Sequence, residues 1–155
     1  MPYLSLFVAL LFALPAWADT PAIREYAVKS PADATYQRLY DGLEAGGYFV
    51  IFEPNMGRSL AGMADKLEAD YNRNQLSTMR SLVFCNPVVT NRIANADPAL
   101  LALCPLHITL THRDGVSTVY FARPSVLAAG SAGEAAALQI ETAIDGIIRS
   151  ALHDQ

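Results

Sequence analysis

Apolar positions recur along this chain with two spacings, and the switches between them mark its elements. Residues 24–29 alternate, with Tyr26 and Val28 on one side and Glu25 and Ala27 on the other, which predicts a first strand. Ser30-Pro31-Ala32-Asp33 then opens a helix: Ser30 can cap, Pro31 suits the first helical position, and Asp33 complements the positive end of the helix dipole. Leu39, Tyr40 and Leu43 form its apolar stripe, and Gly46-Gly47 ends it. Residues 48–52, Tyr-Phe-Val-Ile-Phe, are continuously apolar and too short for a helix between Gly47 and Pro54, so they read as a central strand. Residues 56–71 return to the helical period, with Leu60, Met63, Ala64, Leu67 and Tyr71 on one face.

A strand over 78–85 leads into Asn86-Pro87, a capping residue and a helix-starting proline, and a short helix through about Ala96. Asp97-Pro98 repeats that start signal for a single turn over 99–103. Residues 106–111 alternate cleanly and meet Asp114-Gly115, the strongest hairpin dipeptide in the chain. With those two as loop residues, Leu110 faces Val119, Ile108 faces Phe121, Thr111 faces Thr118 and Thr109 faces Tyr120, so apolar meets apolar. Ser131 and Glu134 form a capping-box pattern ahead of a last helix to about Leu152, with Ala137, Ile140, Ala143, Ile144, Ile147 and Ala151 inward and Glu141, Asp145 and Arg149 outward. The order strand, helix, strand, helix, strand, short helix, hairpin, helix predicts one α+β domain. It should hold a mixed β-sheet with a C-terminal hairpin and helices packed mainly on one side.

Composition changes this picture at the N-terminus. Residues 4–14 are an apolar run closed by Pro15 and Ala16-Trp17-Ala18, a small-x-small cleavage pattern, although no Lys or Arg precedes the run. A span needs roughly 20 apolar residues, so the reading is a signal peptide over 1–18 and a single domain over 19–155. The product is then secreted across the inner membrane and is periplasmic, with no membrane span after cleavage. The net charge of −4 and the absence of a basic cluster argue against nucleic acid as a partner.

The candidate chemistry begins with the two cysteines, an even number in an oxidising compartment. A Cys85–Cys104 disulfide is the simplest reading, and closing a loop of about 20 residues would contribute roughly 3 kcal/mol. A redox-active or ligand-reactive thiol pair is the alternative, without the Cys-x-x-Cys that lowers a thiol's pKa in thioredoxin-type sites. Metal is a third reading: with His107, His112, Met56, Met63 and Met79 the chain has donors suited to copper, but two histidines five apart on a strand fall on opposite faces. No cofactor is otherwise predicted. His107, Thr109 and Tyr120, with Thr111, share one face of the hairpin, which could be a solvated surface, a dimer surface or a groove for a small molecule or protein partner. Glu53 and Arg58 follow the apolar strand where a loop ion pair or a ligand contact would sit. Gly-x-Ser-x-Gly, phosphate-loop and His-Glu-x-x-His patterns are absent, so the residues assign no reaction and lean away from an enzyme.

Phe84-Cys85-Asn86-Pro87, then a short helix, Ala96-Asp97-Pro98 and Leu100-Leu101-Ala102-Leu103-Cys104-Pro105-Leu106 before a strand, resemble the core signature of domain of unknown function 302. That family pairs Cys-Asn-Pro after one strand with Leu-Pro-Cys at the start of a later one, and the resemblance covers residues 34–124. Asn86, Pro87 and Pro105 carry the motif together with the cysteines, although here Cys104 precedes the proline and Leu106 follows it. The resemblance implies a compact α+β domain that tends to form homodimers, and implies no reaction.

Overall fold

The structure, a computed structural model, describes residues 21–153; the expected signal segment lies outside the described residues. Five strands form one sheet in the order β1-β5-β4-β3-β2, with β1 at Ile23–Lys29, β2 at Phe49–Phe52, β3 at Thr78–Cys85, β4 at Leu106–Arg113 and β5 at Val116–Ala122. Every pairing is antiparallel, which corrects the expected mixed sheet within an α+β fold. The reason lies in α1 (Ala32–Ala45). It carries the chain from one sheet edge to the other, so β1 and β2 run the same way without ever being neighbours.

Helices α1 and α6 (Glu134–His153) pack on one face of the sheet. Leu39 and Leu43 of α1 and Ile140, Ile144 and Ile148 of α6 bury against Leu82, Phe84, Ile108, Leu110, Val119 and Phe121. The i, i+4 spacing in α6 and the alternation in β3, β4 and β5 are what let these side chains share a core. Tyr48 meets Phe84 edge to face at 5.9 Å. The hairpin register follows the turn: Asp114 and Gly115 take φ of 51° and 79°, as a two-residue loop of this hand requires, and Leu110 faces Val119 while Thr109 faces Tyr120.

Five local expectations are corrected. The run 48–52 is not central: β2 is an edge strand paired only with β3, with a register irregularity between Val50 and Phe52. The single helix over 56–71 is instead α2 (Met56–Ala61), α3 (Ala64–Leu67) and a 3-10 turn at Glu68–Asp70, none with a buried residue, and Gly62 ends the first piece. Met63, expected in a core stripe, is exposed. Pro31 rather than Ser30 sits at the N-cap of α1, because the Ser30 hydroxyl accepts a hydrogen bond from Arg38 at 3.0 Å. The capping box of α6 is also redistributed: Ser131 donates to the Ala128 carbonyl at 2.7 Å, while Glu134 accepts from the Gly130 N–H at 2.8 Å.

Candidate functional site

Both cysteines lie where β3 and β4 meet the helical connection between them. β3 ends at Cys85, the Asn86 side chain accepts the Val89 N–H at 3.0 Å, and Pro87 starts α4 (Pro87–Ala96), so strand turns to helix within two residues. A 3-10 stretch at Pro98–Leu103 follows, started by Asp97, whose carboxylate accepts the Ala99 N–H at 3.0 Å. Its end delivers Cys104, joined to Pro105 by a cis peptide, just ahead of β4. Because Phe84 pairs with Leu106, the end of β3 lies beside the start of β4. The cysteines converge, but as two partly exposed free thiols rather than as the expected disulfide. Between them stands Thr90 on the first turn of α4. Its Oγ1 is 3.2 Å from Cys85 Sγ, 3.8 Å from Cys104 Sγ and 3.0 Å from the Asn86 carbonyl oxygen. That hydroxyl is within reach of both sulfurs.

The face of the sheet away from α1 and α6 carries the polar residues expected there. Register lines Ser81, Thr109, Tyr120 and Glu25 across four strands, with Thr111 opposite Thr118 in the next row. The three candidate residues nevertheless do different things. Thr109 is spoken for by the Ser81 hydroxyl at 2.8 Å, and Tyr120 lines a concavity of about 480 Å³ with Glu25, Thr111 and Thr118. His107 borders a smaller cleft of about 140 Å³ beside Pro105 and Leu106. His112 points to the opposite face from His107, and its Nδ1 lies 2.8 Å from the Ser77 hydroxyl. Among the described residues no three of His, Cys, Asp and Glu gather as a metal site would require.

Two charged clusters were not foreseen. Glu141, expected outward, is 1 % exposed and accepts from Arg123 Nε at 2.7 Å, Arg24 at 3.0 Å, and both the N–H and hydroxyl of Ser125. Burial pushes the Glu141 carboxyl up, but the Ser125 and Arg123 hydrogen bonds outweigh it and hold the group below the ordinary carboxylate value. One turn on, Asp145 accepts from Arg24 at 2.6 Å, Arg149 at 2.8 Å and the Tyr26 hydroxyl. Burial raises Asp145 as well, and the hydrogen bonds of Arg149, Tyr26 and Arg24 more than reverse it. Burial and the bond to Asp145 push the Tyr26 phenol up to about 12. Across the molecule Arg80 stacks over the Tyr36 ring at 3.6 Å, and Tyr36 donates to Glu53 at 2.8 Å. Glu53 therefore serves Tyr36 rather than Arg58.

The strand–Cys-Asn-Pro–helix passage and the second cysteine before β4 are now placed in one antiparallel α+β domain, and a family model described as Domain of unknown function DUF302 matches residues 24–151. The chain belongs to this family. The match takes in β1 and α6 as well as the segment that carries the sequence motif. The solved structure "Crystal structure of uncharacterized conserved protein DUF302 from Bacillus stearothermophilus" superposes on this DUF302 domain with a TM-score of 0.74, at 18 % identity. The match covers 86 % of this chain and all of that one, and at this identity it speaks for the fold alone. No curated protein matches the chain. Among the described residues no helix is long and apolar enough to cross a membrane.

Proposed function

We propose that this DUF302 protein is an exported interaction module that works as a homodimer, with the β2 edge as its meeting surface. The observation that carries the reading is β2 itself. Phe49, Ile51 and Phe52 are 52, 60 and 63 % exposed on an edge strand without a single charged residue. An apolar edge offers greasy side chains to another strand, and such edges are normally blunted by lysine or proline; here the Val50 N–H is taken up by Glu44 Oε1 at 2.7 Å. A second copy is the occupant that suits it: β2 laid antiparallel on β2 about a twofold axis sets the same apolar residues of both chains together. Export rests on the apolar leader and its Ala-Trp-Ala end, and the mature protein then begins at Asp19.

Sedimentation velocity over a range of micromolar concentrations tests the reading. The expected result is a dimer, converted to a monomer by Phe52→Lys with the unfolding midpoint unchanged, since Phe52 is largely exposed. A wild-type protein that stays monomeric throughout, or a Phe52→Lys protein that still dimerises, overturns it.

A further inference from the structure

Thr90 touches both thiols, and its hydroxyl has one proton for three nearby acceptors: Asn86 O at 3.0 Å, Cys85 Sγ at 3.2 Å and Cys104 Sγ at 3.8 Å. With both thiols protonated, that proton is shared between the Asn86 carbonyl and Cys104 Sγ, which both accept from Thr90, while the Cys85 S–H can donate to the Thr90 oxygen. When either sulfur loses its proton, a rotation about one bond turns the Thr90 hydroxyl onto the thiolate, and charge-assisted donors are about twice as strong as neutral ones. One side chain can thus steady a negative charge on whichever cysteine carries it.

We propose that Cys85 and Cys104 are a redox-active dithiol that exchanges with a low-molecular-weight disulfide, and that Thr90 is the positioning residue shared by both sulfurs. Both thiols are partly exposed, so a small disulfide can reach them. In the forward direction one cysteine thiolate attacks a sulfur of the incoming disulfide. An S–S bond forms to the protein, the incoming S–S bond breaks, and the departing thiolate takes up a proton. The second cysteine, losing its proton to solvent, attacks the protein-side sulfur of this mixed disulfide and expels the second small thiol. Two protein thiols are oxidised to a Cys85–Cys104 disulfide while one small disulfide is reduced to two thiols. As the sulfurs close, Thr90 gives them up and keeps its bond to Asn86. This inference does not depend on the β2 interface.

Oxidised and reduced glutathione serve as the probe. The full protein is equilibrated in buffers of graded ratio, quenched with an alkylating agent and weighed intact. The expected species loses two hydrogens, resists alkylation at both cysteines and returns to the dithiol when the ratio is reversed, while Cys85→Ser and Cys104→Ser each stop at a single glutathione adduct. Two thiols that remain open to alkylation at every ratio, or a wild-type protein that only accumulates adducts, overturn the proposal. For Thr90 the readout is the iodoacetamide rate at neutral pH. Thr90→Val should slow it about tenfold, the value of one hydrogen bond to a charged group, and Thr90→Ser should restore it. Equal rates in all three remove Thr90 from the site. If Thr90→Val does not fold, the redox titration with the two serine variants still decides the pair.

Discussion

Glu141 is the residue whose surroundings were least legible. Its position in the α6 repeat places it beside Ile140 and Ile144 but off their stripe, and periodicity alone sends it outward. What turns it inward is the arrival of Arg24 from β1 and Arg123 from just beyond β5, which are neighbours only because those two strands pair. Their spacing in the chain holds no trace of that. Glu141→Ala should cost about 3 kcal/mol in urea unfolding, because it leaves the half-hidden Arg123 guanidinium without its counter-charge. Asp65→Ala, on an exposed turn, should stay within about 0.5 kcal/mol. Similar costs for the two would mean that the cluster is a solvated surface pairing. Asn86 and Asp97 behave oppositely: each caps the helix that immediately follows it, so the relevant partner is two or three residues away and the sequence pattern suffices.

Among the elements, the hairpin and β2 mark the two extremes. The hairpin was readable because turn chemistry and alternation agree over adjacent residues, and both loop positions adopt the left-handed conformation that Asp-Gly favours. At Gly115 a methyl group would meet nothing within 4 Å, so substitution there probes the backbone alone. Gly115→Ala should lower stability by about 1 kcal/mol, with Gly115→Asn intermediate because asparagine tolerates the left-handed region. A neutral Gly115→Ala, measured by thermal or urea melting, would mean that the turn relaxes to another type. β2 misled because a run of apolar residues reads the same at the centre of a sheet as at its edge. The glycine-interrupted stretch after it misled for a different reason: its apolar spacing is helical, but the chain breaks at Gly62 and none of the pieces buries a residue.

For the molecule as a whole, the two ends of the pH scale act through the same corner. Glu141 and Asp145 hold folded values below their ordinary 4.5 and 3.8, so the unfolded chain binds protons first. Their contribution is complete above about pH 4.5 and is lost as pH falls through the folded values. Tyr26 works in the opposite sense: raised from 10 to about 12, it contributes fully below pH 10 and loses that contribution as pH rises through 12. Urea midpoints measured from pH 3 to pH 12 should therefore form a plateau with a shoulder at each end. Tyr26→Phe should remove part of the alkaline fall, and an unchanged alkaline limb would assign that fall to other groups.

Sequence alone determined the α+β composition, the order of elements, the hairpin register, the caps of α4 and of the 3-10 turn after it, and the family motif with its two cysteines. All of these depend on residues close together in the chain or on side-chain period, which the sequence displays directly. Tertiary structure decided which strand became an edge, which carboxylate became buried, and that a threonine hydroxyl lies within reach of both sulfurs. Those outcomes depend on which distant segments become neighbours: α1 crossing the whole sheet puts β2 at its rim, β1 pairing with β5 encloses Glu141, and α4 folding back on β3 sets Thr90 between Cys85 and Cys104.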